Sequence, residues 1–147
     1  MICLLDVNVL VALAWPNHVH HEIALTWFRK HQRLGWATCP ATQSGFIRVS
    51  SNRAIIPEAR TPAEAAELLR QIILLPKHSF WRDDISLVDC PHVDMSKIHG
   101  FRQVMGAHLL ALAIRHGGRL ATLDRSVRVL APAGCDPDSV IAEVIQG

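Results

Sequence analysis

Four short segments of this 147-residue chain read as strands, the first of them apolar almost throughout, and they constrain its fold more than anything else in it. They are Ile2–Asp6, Gly35–Cys39, Ile85–Asp89 and Leu120–Leu123. A strand with one wet face alternates polar and apolar residues, whereas a strand covered on both faces does not. The residues between them carry helical patterns: Val9–Ala14, stopped by Trp15-Pro16-Asn17, then His20–His31, Thr42–Ser51 and Gln103–His116. Thr61-Pro62-Ala63-Glu64 opens another helix, with a capping residue, a proline suited to the first turn and a glutamate closing the capping box. That helix runs through Leu68, Leu69, Ile72 and Ile73 towards Pro76. Gly117-Gly118 suits a left-handed helix end, Arg125–Leu130 reads as a short helix, and the tail Asp138–Ile145 reads as strand or helix. Buried strands separated by helices imply parallel pairing and right-handed crossovers. The expectation is one α/β domain over residues 1–147, a three-layer α/β/α with a short central parallel sheet.

Composition narrows the classes. Half the residues are apolar, which opposes disorder, and a chain of this length buries a core without disulfides or metal. Cys3, Cys39, Cys90 and Cys135 are scattered without a C-x-x-C pair, so they read as thiols in a reducing compartment. No basic leader with a long apolar core opens the chain, and no apolar run approaches a membrane span. A cytoplasmic protein is expected. The net charge of +2 is too small to argue for nucleic acid, so any such case rests on where the basic residues lie.

Asp6 ends the first apolar run and Asp124 directly follows the last. In an open parallel sheet, ligands bind in the crevice outside the carboxyl ends of the strands. Two carboxylates meeting there repel each other unless a hard cation such as Mg²⁺ lies between them. Asn8 adds an oxygen donor at the same edge. Each Asp also has a structural reading, as the cap of the short helix that follows it.

The blocks Leu4-Leu5-Asp6-Val7-Asn8-Val9-Leu10, Trp36-Ala37-Thr38-Cys39-Pro40, Gly45-Phe46-Ile47-Arg48-Val49, Leu109-Leu110-Ala111-Leu112-Ala113 and His116–Asp124 stand in an order and spacing that resemble a known family. The chain resembles PIN-domain proteins, specifically the VapC toxins of bacterial VapBC toxin–antitoxin pairs, of the kind abundant in mycobacteria. That resemblance covers nearly the whole chain. It implies an endoribonuclease that cuts RNA with Mg²⁺ or Mn²⁺ and inhibits translation. It also implies a homodimer and neutralisation by a VapB-type antitoxin, whose arginines can occlude the acidic cleft. The implied acidic cluster has Asp6 and Asp124 as catalytic and metal-binding residues, a Glu after the second strand, and an Asp at the start of the long apolar helix.

Here the chain departs from the pattern. The family's Glu falls on Gln43 and its helix-initial Asp on Gly106. Gln offers a neutral oxygen, and Gly offers only backbone and weakens a helix interior by up to about 1 kcal/mol. A second reading follows: a PIN module that keeps dimerisation and antitoxin binding but cuts nothing. Thr122, Asn8, Arg48 and Arg125 are candidate accessory or phosphate contacts, with Arg128 beside them. Trp27, Phe28, Leu68 and Ile72 read as core residues that could also serve an interface. His18, His20 and His21 read as a solvated helix start, His108 as a packed or surface histidine, and Asp83-Asp84 as a turn. Asp89 and Asp94 could stand in for a missing ligand. A haloacid-dehalogenase-type phosphatase needs a second Asp where Asn8 stands, and a receiver domain needs paired acids where Val7 stands.

Overall fold

A computed structural model of the chain describes residues 1–130 and 142–145. Five strands form one sheet in the order β3-β2-β1-β4-β5. They are β1 (Cys3–Leu5), β2 (Trp36–Thr38), β3 (His78–Phe80), β4 (Arg119–Thr122) and β5 (Ala142–Val144). Every neighbouring pair is parallel, with Leu4 opposite both Ala37 and Leu120. Five helices connect them: α1 (Val7–Ala14), α2 (His21–His31), α3 (Pro40–Ser50), α4 (Pro62–Ile72) and α5 (Val104–Arg115).

The central strands bury both faces, as their unbroken apolar character predicts. Leu4, Ala37 and Leu120 pack against Leu109, Leu110 and Leu112 of α5. Leu5, Trp36 and Ala121 face the other way, onto Val9 and Leu10 of α1, Phe28 of α2, Phe46 of α3 and Leu69 of α4. Two apolar layers therefore sandwich one sheet. Burying a side chain of Leu or Phe size contributes about 1.5–3 kcal/mol each, so these layers are the main stabilising term. Trp27 and Phe28 belong to this core, and Leu68 and Ile72 pack against it half-buried.

Local signals locate the helix ends well. Thr61 Oγ1 accepts from the Glu64 amide at 3.2 Å and Glu64 answers the Thr61 amide, which completes the capping box. Gly117 ends α5 at φ +69°, where a side chain would be strained.

The third strand corrects the sequence expectation. Ile85–Asp89 is not a strand. Ser86 accepts from the Val88 amide at 3.2 Å and Leu87–Asp89 forms one turn of 3₁₀ helix, with Val88 95% exposed. The strand is His78–Phe80, held to β2 in the register Trp36↔His78. Its alternation is too short and too polar to show in sequence. Residues 142–144 of the tail form β5, while 138–141 and Cys135 lie outside the described residues. Cys3, Cys39 and Cys90 are thiols, as expected. Among the described residues no helix is long and apolar enough to cross a membrane.

Candidate active site

The carboxyl ends of β1 and β4 lie side by side, and the Asp6 amide donates to the Ala121 carbonyl at 2.9 Å. Asp6 is the N-cap of α1, its Oδ1 accepting from the Val7 amide at 2.7 Å. The capping reading is therefore correct, and it does not exhaust the residue. Oδ2 of Asp6 accepts from the Thr122 hydroxyl at 2.7 Å. That hydroxyl in turn accepts from Asn8 Nδ2 at 3.3 Å and from the Asp124 amide at 3.1 Å. Asn8 Oδ1 accepts from the Leu123 amide at 3.2 Å. Thr122 is fully buried and ties Asp6, Asn8 and Asp124 into one network. It is the hub of that network.

Asp124 is exposed, and its Oδ1 caps the following turn by accepting from the Ser126 amide at 2.9 Å. Burial pushes the Asp6 carboxyl above its ordinary range. The Thr122 hydroxyl and Val7 amide stabilise its ionised form and offset part of that rise, while the charge of Asp124 adds to it. Asp6 and Asp124 thus feel each other across the strand ends.

The other half of the edge is neutral. α3 begins at Pro40, directly after β2, with Cys39 as N-cap. A Cβ on Gly45 would lie 2.5 Å from Val7 Cγ2, so only glycine lets α3 approach α1 this closely. Gln43, half-buried, points its amide nitrogen to Thr38 Oγ1 at 3.0 Å. Thr38 Oγ1 lies 2.7 Å from His78 Nε2, and burial holds the His78 imidazole below its ordinary pKa. Which of the two donates follows the imidazole tautomer: Nε2–H gives its proton to the Thr38 oxygen, and a bare Nε2 takes the hydroxyl's. Thr38 and His78 escaped sequence reasoning because the strand that carries His78 was not legible. Gly106 is in the first turn of α5, and a Cβ there would meet only Val127 Cγ2, at 3.3 Å.

Other candidates resolve simply. Arg48 and Arg125 are exposed, in the last turn of α3 and directly after Asp124. Asp94 accepts from the Ser96 amide and hydroxyl at 3.0 and 2.6 Å, which commits it to its own turn, and Asp89 closes the turn at Leu87. His18 accepts from the His20 amide at 3.0 Å, and His21 bonds the Ala12 carbonyl at 2.7 Å, so the cluster is a helix start. Asp83 and Asp84 form no turn, contrary to the expectation; they lie in irregular chain tied to α5 by side-chain contacts. Asp83 pairs with His108 at 2.6 Å, and Asp84 lies 3.9 Å from Arg115 and 3.7 Å from His116, which strap this segment to α5.

Comparison with known proteins agrees with this architecture. The sequence profile of the PIN domain matches residues 3–131. The chain belongs to the PIN-domain family. It is 46% identical to ribonuclease VapC39 of Mycobacterium tuberculosis over 134 residues, 91% of this chain and 96% of that protein. It is 50% identical to ribonuclease VapC38 of the same organism over 128 residues, 87% and 89% of the two chains. Ribonuclease VapC44 is 42% identical over 134 residues, 91% and 94%.

Within this PIN domain the donor set suits a hard divalent cation only in part. Asp6 and Asp124 supply two carboxylates at one edge, which is a workable start for Mg²⁺. Among the described residues no group of three or more His, Cys, Asp and Glu side chains is placed to hold a metal. The site therefore fits a cation that finds its remaining anionic ligands elsewhere.

Proposed function

We propose that this PIN domain is a VapC-type toxin: an endoribonuclease that cuts RNA with Mg²⁺ or Mn²⁺, inhibits translation and is neutralised by a VapB-type antitoxin. The observation that supports the reading is the Thr122 hydroxyl, which donates to the Asp6 carboxylate and accepts from the Asp124 amide at the carboxyl edge of a parallel sheet. The relatives, named ribonucleases, supply the reaction class. A bound divalent cation would make water a better nucleophile and offset charge on the phosphate. The chain's part is to present two carboxylates, with Asp6 oriented by the Val7 amide and the Thr122 hydroxyl. Arg48 and Arg125, exposed near this edge in sequence, are suited to phosphate contact, which makes RNA binding weaken with salt. Exposed Phe101, Val104 and Met105 provide apolar surface for a homodimer.

The test is cleavage of total RNA by antitoxin-free protein in Mg²⁺ and in Mn²⁺, beside EDTA controls and Asp6→Asn. Cleavage lost in EDTA and in Asp6→Asn is the expected result. An intact fold that cuts nothing in either metal, with Gly106→Asp and Gln43→Glu equally silent, would sink it.

Gln43 and Gly106 favour a second reading, in which the module binds RNA and antitoxin without cutting. RNA retention without cleavage, with cleavage gained on Gly106→Asp, would select it.

A further inference from the structure

A hollow of about 360 Å³ lies between α3, α5 and the segment 83–87, and no residue of the Thr122 network lines it. Ile85, Leu87, Val104 and Met105 give it apolar walls, and Asp83 and His108 add polar groups. The walls are already fixed. Asp83 Oδ1 lies 2.6 Å from His108 Nε2, with the two side chains only 24% and 20% exposed. Asp84 reaches Arg115 and His116, and buried Trp81 stacks on His116 with ring centroids 4.5 Å apart. Ile85 and Leu87 pack against the core. A wall ordered in advance gives up little freedom when a ligand arrives.

An ionised carboxylate only accepts, so His108 Nε2 donates to Asp83 and holds it in place. That bond uses one of about four acceptor positions on the carboxylate. Asp83 Oδ2 has no hydrogen-bond partner among the described residues. An apolar hollow with a fixed acceptor selects a flat group that carries N–H donors on its edge. A nucleobase is such a group, because single-stranded RNA is read by bases splayed from the strand, packed on side chains and hydrogen-bonded along their Watson–Crick edges. Guanine alone of the four puts two adjacent donors there, N1–H and the N2 amine, and they match the two oxygens of one carboxylate. Adenine and cytosine set their amine beside a bare ring nitrogen that repels an acid, and uracil has one N–H between two carbonyls. The volume is at the small end of the roughly 300–1,000 Å³ of ligand pockets, which suits one base rather than a helix about 10–12 Å across.

We propose that this hollow is a base-specificity subsite that takes one guanine of the RNA. Its N1–H and N2 amine donate to the Asp83 carboxylate, and its faces lie on the apolar walls. The inference rests on the RNA-directed reading above and adds which nucleotide the chain selects. RNA is favoured over a protein side chain as the occupant because the hollow adjoins the candidate active site. Ala41, which also lines it, stands two residues before Gln43 on α3, and Met105 directly precedes Gly106 on α5. His108 is a positioning residue that acts through Asp83.

The experiment is fluorescence anisotropy with the full, antitoxin-free chain, in EDTA and in Mg²⁺. The probes are short oligouridines, one unsubstituted and the others carrying a single guanosine, inosine, adenosine or cytidine. The guanosine probe should bind about 10-fold tighter than the unsubstituted one, the scale of a bidentate base contact. Inosine, which lacks the N2 amine, should lose most of that gain. Asp83→Asn keeps the shape but puts a donor where an acceptor stood, and should bring the ratio of the two affinities to within about twofold of unity. Because the ratio is the readout, any general effect of removing one negative charge cancels. Leu87→Ala takes away part of a wall and should lower the ratio too, with circular dichroism unchanged. Three results would overturn the proposal. One is equal affinity for every probe, and another is a guanosine preference that survives Asp83→Asn. The third is a ratio left intact by Leu87→Ala while the mass in light scattering changes, which would mark the hollow as a protein interface. Failure to bind any probe in either buffer would overturn the RNA-directed reading as well.

Discussion

The two halves of the sheet edge differ in chemistry but not in construction. The β1–β4 half keeps its acids, and a buried threonine hydroxyl joins the Asp6 carboxylate to the Asp124 backbone amide. The β2–α5 half has none, yet α3 still starts at Pro40 against α1 and α5 still brings its first turn up to Val127. The backbone frame of the neutral half is held by apolar packing and by Gly45, which ask nothing of the side chains at positions 43 and 106. The acidic half is different, because Asp6 is both a candidate ligand and the cap of α1. Chemistry and folding are separable on one side of the edge and fused on the other.

Thr122→Val attacks the fused half and has the largest expected effect. It leaves Asp6 Oδ2, Asn8 Nδ2 and the Asp124 amide without their shared partner. Unfolding free energy by urea titration should fall by about 2–4 kcal/mol, since a buried polar group left unpaired costs about 1–3 kcal/mol. A change under about 0.5 kcal/mol, the size typical of surface substitutions, would show that the network does not stabilise the edge.

Gly45→Ala tests the frame of the neutral half. The new Cβ would overlap Val7 Cγ2, and Val7 is β-branched and stiff, so α3 must shift from α1. A loss of about 1–3 kcal/mol is expected, the usual cost of overpacking. Full stability in a melt would mean that the close approach is not required there.

Much of this was legible in the sequence, and the exceptions have physical causes. Ile2–Asp6 and Leu120–Leu123 declare buried parallel strands because both faces are apolar, and Asp6 and Asp124 follow from where those strands end. Thr61–Glu64 and Gly117 declare helix ends through local hydrogen bonding and backbone conformation. His78–Phe80 was hidden: three residues on the edge of β2, partly exposed, carry no period to detect. Ile85–Asp89 misleads because Ile85, Leu87 and Val88 suit a strand, while the Ser86 hydroxyl caps a 3₁₀ turn there instead. Thr122 was visible only as an accessory, since a hydroxyl's role depends on which groups the fold brings to it. The tethers from Asp83 to His108 and from Asp84 to Arg115 and His116 join residues far apart in the chain, which no local pattern encodes.

A subtler effect separates the halves by pH. Burial raises the Asp6 carboxyl above its ordinary value of 3.8. Such a group binds a proton more readily in the folded chain than in the unfolded one. Its contribution to stability therefore rises as pH falls from the raised value towards the ordinary one, and is level outside that window. Glu64, Glu67 and Asp94 are held below their ordinary values and lose stabilisation as pH falls. Urea titrations of the parent and of Asp6→Asn at each pH isolate the Asp6 part, because Asn still caps α1. The parent should gain on the variant across that window. A difference that does not change with pH would refute the buried-carboxyl account.

The smallest expected effect is on the neutral half, and it is a change of proton placement rather than of stability. Gln43 now donates to Thr38 Oγ1, and the tautomer to be tested is the one in which the Thr38 hydroxyl donates to His78 Nε2 and the imidazole proton sits on Nδ1. A glutamate at 43 can only accept when ionised. In Gln43→Glu the Thr38 hydroxyl must turn to the new carboxylate and His78 must present Nε2–H in its place. Stability should move by less than about 1 kcal/mol, because one hydrogen bond replaces another. The ¹⁵N shifts of the imidazole should nevertheless exchange, the protonated nitrogen passing from Nδ1 to Nε2. Shifts that report Nδ1–H in the parent and stay there in the variant would mean that the carboxylate has left Thr38 and points into the acidic edge. In that case a single substitution would move position 43 from the neutral half of the site to the charged one.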